Sequence, residues 1–215
     1  MKLPLLISLP HAGLSVPPPL KPLCVLTPEQ IKKDGDEGAA EIYAIRDEVA
    51  EFVTTDVARA ILDMNRAEDD RRPDGIVKTH TCWNEPVYND SLPDELVATL
   101  LDEFYRPYHA QLSAAASRDL LLGVDCHTMA SHGPPIGPDP GVERPWVCLS
   151  NADDTCPLEW IESLAECFRC EFEGPVTINN PFRGGYIIRS HAAEMPWLQP
   201  RIYSRGPRGR QDGPN

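Results

Sequence analysis

The stretch "LPLLISLPHAGLSVPP", residues 3–18, decides how the rest of the chain folds. Leu5 to Leu9 is an apolar run of strand length that stops at Pro10, and His11 follows, with the small residues Ala12 and Gly13 behind it. A strand that ends abruptly and delivers a histidine at its exit fits an open α/β sheet, whose ligands gather at the carboxyl ends of strands.

Further short apolar runs extend this pattern: Ala60 to Met64, Leu120 to Val124, Trp146 to Leu149, Val176 to Asn179 and Tyr186 to Arg189. Segments of helical spacing fall between them. Glu37 to Thr54 has apolar residues at roughly 3.6-residue intervals, "SLPDELVATLLDEFYRPYHAQLSAAAS" opens with the start signals Ser91 and Pro93, and Pro157 to Glu171 is amphipathic. The alternation predicts one α/β domain built on a mixed, mostly parallel sheet with helices on both faces. Ser131 to Pro145, rich in proline and glycine, is expected to be a surface loop, either passive or forming one wall of a pocket.

Composition narrows the function. The 215 residues suit a single core, and 41 % hydrophobic with 25 % charged residues is ordinary for a soluble globular chain. A formal charge of −13 argues against a nucleic-acid partner, which calls for a basic face. No apolar run approaches the ~20 residues needed to span a bilayer, and Met1 to Leu9 is too short for a signal peptide. A cytoplasmic location is therefore expected. The seven cysteines lack disulfide-framework spacing and read as reduced thiols; the Cys167–Cys170 pair, inside an amphipathic segment, reads as helix surface rather than a redox or metal motif.

Three strand exits carry reactive side chains: His11 in "ISLPHAG", Asn65 and Arg66 in "AILDMNRAEDD", and Asp125 and His127 in "LLLGVDCHTM". Two histidines and a carboxylate around one point, with a coordination position left open, make a catalytic zinc centre. His11 and His127 are the natural pair. Asp36, in "KKDGDEGAAEIYAI" ahead of small residues, is the carboxylate nearest in kind, although Asp34 and Asp36 also suit helix capping. Arg66 offers a planar fork of donors for a substrate carboxylate, with Asn65 beside it; an ion pair with Asp69 or Asp70 is the alternative.

The motifs "SLPHAGLSVP", "DGDEGAAEIY", "DMNRAEDD", "VDCHTM" and "NNPFRGGYIIRSHAAEMPWLQ" occur in the order found in N-formylglutamate amidohydrolases, and the chain resembles that family from about residue 7 to residue 199. The resemblance implies a zinc carboxypeptidase-like fold and hydrolysis of N-formyl-L-glutamate to glutamate and formate, late in histidine degradation. It implies Zn²⁺ or another divalent ion on His11, Asp36 and His127, and substrate carboxylates on Asn65, Arg66 and Arg183. Gly184 and Gly185 would permit close backbone approach to a ligand. Asp125 would orient a ligand imidazole, and the partner would be a small acidic N-acyl amino acid.

After "PWLQ" the family pattern calls for one residue and then a glutamate, whereas Arg201 stands here. A guanidinium stays protonated near neutral pH and is no general base. Glu194, with His191 near it, is the substitute candidate for catalysis. Residues 200–215 carry four arginines and one aspartate, unlike the acidic remainder, and read as an atypical basic tail on a domain of residues 1–199. Two further readings follow from the resemblance: a metal- and carboxylate-binding homologue with impaired catalysis, and a metallopeptidase of the carboxypeptidase type.

Overall fold

The computed structural model describes residues 1–116 and 119–204. Ser117, the last residue of the expected long helix, and the tail beyond Ser204 lie outside the described residues.

Seven strands form one sheet: β1 (Leu3–Leu9), β2 (Val49–Thr54), β3 (Leu122–Asp125), β4 (His127–Met129), β5 (Val147–Ser150), β6 (Val176–Ile178) and β7 (Trp197–Tyr203). Its order is β2-β1-β3-β7-β5-β6, with β4 pairing β7 beyond the end of β3. Every pairing is parallel except β5 with β7. The expected mixed, mostly parallel α/β sheet is therefore present. β3 and β4 pair β7 on either side of a gap, between the rungs Val124↔Leu198 and His127↔Arg201. Pro200 falls in that gap, and proline has no N–H to give to a ladder.

Helices cover the two faces. On one, α3 (Asp94–Leu100) runs through a π-helical turn, Leu101–Tyr105, into α4 (Arg106–Ala116), whose Tyr108 and Leu112 share a core with Leu6 of β1. On the other, α5 (Leu158–Glu171) places Ile161 and Ala165 with Val147, Leu149 and Leu198. Leu6 and Ile7, neighbours on β1, enter different cores, as the two-residue repeat of a strand requires. Cys167 and Cys170 of α5 are exposed.

Three expectations need correction. Glu37 to Thr54 is not one helix: a single turn, α2 (Ala39–Ile42), is followed by β2. Phe52, Val53 and Thr54 favour a strand, and pairing with β1 overrides the helical spacing. Ala60 to Met64 is a fully buried turn bridged at Leu62↔Val77, not a strand. Tyr186 to Arg189 lies in a short helix, α6 (Tyr186–Ser190), because an apolar run of this length carries no period that separates helix from strand. β7 runs across position 199, and Pro200 to Tyr203 lie in the sheet.

Candidate active site

β1 and β3 are parallel neighbours with Ser8 opposite Asp125, so their carboxyl ends emerge side by side. His11 lies three residues past Ser8 and His127 two past Asp125, which brings their ring centroids to 4.7 Å. The third member arrives on the turn after α1 (Pro28–Asp34). There the Asp36 N–H donates to the His11 carbonyl, and Gly38 takes a φ of 76°, a conformation that side chains rarely adopt. Ligand atoms of His11, Asp36 and His127 all lie within 4.8 Å of one another.

The hydrogen bonds fix which nitrogens face inward. His11 Nε2 is 2.8 Å from Asp63 Oδ1, and His127 Nε2 is 2.8 Å from Asp125 Oδ2. A carboxylate accepts, so each Nε2 carries a proton; His11 Nδ1 is left with a lone pair, and His127 Nδ1 presents a second one when an ion takes the place of the proton between it and Asp36. His127 Nδ1 then stands 2.8 Å from Asp36 Oδ2, and His11 Nδ1 stands 3.5 Å from it with no hydrogen-bond partner. Three acceptors converging on one buried point are suited to a cation, and two nitrogens with one carboxylate oxygen suit zinc or a related divalent ion. Burial raises the cost of charge on Asp36, yet His11 and His127 hold its carboxyl well below the usual range. Asp63 is also depressed against burial, by His11 and Arg59. Burial disfavours charge on His127, but Asp125 carries its pKa upward.

The anchoring carboxylates are themselves held. Asp63 accepts from Arg59 Nε and from the Asn65 backbone N–H, at 3.2 and 2.9 Å. Asp125 accepts from Ser8, Asn65 and Gln199. Behind them Lys78, fully buried, donates to Asp34 at 2.8 Å, and Arg59 donates to the Asp34 carbonyl. Asp34 is pressed upward by burial but Lys78 lowers it to about 2. Asp34 thus closes α1 as an ion-pair member, and the Asp36 carboxylate faces His127 rather than capping α2.

A cleft of about 440 Å³ opens over the centre. Pro134, Ile136, Gly137, Pro138 and Arg144 of the 131–145 loop form one wall, so that loop is not passive. Asn65 lines the cleft, but its amide is occupied: Nδ2 donates to Asp125 and Oδ1 accepts from the Ile187 N–H. Gly185 passes so close that a methyl group there would overlap the Asn65 side chain. Arg66 pairs with Asp74 at 3.1 Å, not with Asp69 or Asp70. Arg183 is at the cleft with its side chain 70 % exposed, 3.7 Å from Asp153. Arg201 lies over the Phe182 ring at 4.3 Å, and burial lowers its pKa while Asp36 opposes the shift.

Glu194 is not among the residues lining the cleft. It accepts from Ser113 at 2.8 Å and faces His191 Nδ1 at 2.9 Å; His191 Nε2 meets His109 Nδ1 at 3.0 Å, and His109 Nε2–H donates to the Met64 carbonyl. Asp63, Arg59 and Lys78 escape sequence reading. Asp63 has a local signal, its place two residues before Asn65 at the end of a buried run, whereas Lys78 has none.

Fold and site together define an α/β protein with a candidate two-histidine, one-carboxylate metal centre at strand ends, opening on an arginine-lined cleft. The sequence model of the N-formylglutamate amidohydrolase family matches residues 3–202, and the chain belongs to that family. It is 30 % identical over 146 residues to an N-formylglutamate deformylase of Pseudomonas putida, across 62 % of this chain and 54 % of that one, so the match spans about half the relative's length. A deformylase of the same name from Pseudomonas aeruginosa is 25 % identical over 204 residues, 88 % of this chain and 75 % of that one. The crystal structure of N-formylglutamate amidohydrolase from Ralstonia eutropha JMP134 superposes with a TM-score of 0.77 at 21 % identity, covering 94 % and 82 % of the two chains. A gene product of Agrobacterium tumefaciens shares the fold with a TM-score of 0.70 at 15 % identity, over 94 % and 80 %. No helix among the described residues is long and apolar enough to cross a membrane.

Proposed function

We propose that this protein is a metal-dependent amidohydrolase acting on N-formyl-L-glutamate or a related N-acyl acidic amino acid. The inward-facing, unpartnered Nδ1 of His11 beside Asp36 and His127 carries this reading. His11, Asp36 and His127 would hold a divalent ion, which would supply Lewis-acid polarisation of an acyl carbonyl and acidify water toward a pKa of ~7. Asp63 and Asp125 keep both imidazoles in the ligating tautomer. Arg66, Arg183 and Arg201 give the cleft the cationic character that a substrate with two carboxylates needs. Zinc as the resident ion, a cytoplasmic setting and a place late in histidine degradation belong to the same reading.

One observation favours a second reading, a binding homologue with impaired turnover. Hydrolysis of an amide needs a group that takes a proton from water and returns one to the leaving amine. Among the described residues no glutamate lines the cleft, and each lining aspartate is engaged: Asp34 with Lys78, Asp36 with His127, Asp63 with His11 and Asp74 with Arg66.

The deciding experiment is formate release from N-formyl-L-glutamate by zinc-loaded protein, beside Arg201→Glu, with bound metal quantified in both. Turnover by the native chain supports the hydrolase. Stoichiometric zinc without turnover selects the binding homologue, and recovery of activity in Arg201→Glu locates the loss at that position.

A further inference from the structure

Among the described residues five arginines line the cleft, and four have a carboxylate within ion-pair distance: Arg59 with Asp63, Arg66 with Asp74, Arg144 with Asp139 and Arg183 with Asp153. Among the described residues no ion pair involves Arg201, and its Nε is buried with no hydrogen-bond partner. A buried charge is tolerated when paired and is costly when alone. Two features hold the side chain in place. Its strand sets it in the same rung as His127, so it projects on the same side of the sheet as that imidazole. The Phe182 ring lies against its guanidinium, and Arg144, also over Phe182 at 4.8 Å, adds a second positive group.

We propose that Arg201 is an anion seat: it receives a ligand carboxylate inside the cleft, beside the His11–Asp36–His127 centre, and makes this chain selective for acids through a contact that a glutamate at this position would repel. The inference rests on the reading of the cleft as a receptor for an acidic N-acyl amino acid. It differs from the Asn65–Arg66 assignment, because Asn65 is occupied by Asp125 and Ile187 and Arg66 by Asp74, whereas the buried Nε of Arg201 has no hydrogen-bond partner.

The test is calorimetric titration of zinc-loaded protein with sodium acetate and with N-formyl-L-glutamate, in the native chain, Arg201→Met, Arg201→Lys and a surface control, Arg169→Gln on α5. A charge-assisted bond to a carboxylate is worth enough that Arg201→Met should weaken acetate binding about 10- to 100-fold. Arg201→Lys should keep part of the affinity and Arg169→Gln all of it. Unchanged acetate affinity in Arg201→Met overturns the seat, even if N-formyl-L-glutamate still binds and the functional reading stands. Arg201-dependent acetate binding without any binding of N-formyl-L-glutamate upholds the seat and removes the reading on which it was framed. Melting supplies a second readout: without anion Arg201→Met should melt above the native chain, and acetate should raise the melting temperature of the native chain only. If Arg201→Met does not fold, the same comparison with Arg201→Lys decides, since an ammonium lacks the planar fork; an undiminished acetate response there overturns the proposal.

Discussion

His11 Nδ1 stands 3.5 Å from Asp36 Oδ2 with its lone pair unpartnered, because the other nitrogen of the same ring is held by Asp63. The ring is turned so that its free nitrogen and a carboxylate oxygen look at the same point. His127→Ala removes a second nitrogen from that point and is expected to abolish stoichiometric zinc and formate release together. Elemental analysis of the purified variant checks it, and a full equivalent of zinc retained by His127→Ala would falsify the ligand assignment.

Asp63→Asn should be milder. Asparagine can still accept from His11 Nε2–H, but it loses the charge that favours the ligating tautomer and the ion pair with Arg59. Zinc affinity should fall about 10- to 100-fold, measured by competition with a chelator of known affinity, with the fold retained by circular dichroism. No change in affinity would show that the backbone alone orients His11.

Burial, and then the neighbouring His191, hold the His109 pKa down to about 4 from its ordinary 6.5. A histidine kept neutral by the fold stabilises it fully above pH 6.5, and that contribution is lost as pH falls toward 4. Between pH 7 and pH 5 the loss should be about 2 kcal/mol. Urea unfolding of the native chain and His109→Gln at the two pH values provides the comparison; equal losses in both would remove His109 as the cause.

Lys78 and Asp34 are both fully buried, 2.8 Å apart. Lys78→Met leaves the Asp34 carboxylate with Arg59 at 3.8 Å as its cationic partner and with the Cys82 N–H, and should destabilise the protein by about 3–5 kcal/mol. The double variant Lys78→Met/Asp34→Leu should recover much of that loss. Equilibrium denaturation of the pair settles it, and a double variant no better than the single one counts against the ion-pair account.

Local runs were enough to place β1, β3, β5, β6 and α5, because each is bounded by proline, glycine or a clear change of period. They were not enough for β2, whose Val49 and Phe52 satisfy helical spacing while their partners on β1 hold them extended. The meeting of His11 and His127 was legible from two strand exits, since parallel neighbours end on the same side. What stayed hidden is long-range: Asp63 under His11, Lys78 beneath Asp34, and the bond that engages the Asn65 amide with Asp125. Glu194 looked close to the chemistry along the chain, but α6 and the turn after it send it to Ser113 and His191.

Pro200 divides labour within the sheet. The rungs before it, Gly123↔Trp197 and Val124↔Leu198, tie the centre of the molecule together, while the rungs after it belong to the ligand-bearing end. On its other edge β7 is unbroken, with Leu149 of β5 opposite Pro200, so β4 and its His127 are aligned through β7 to the same frame as β5.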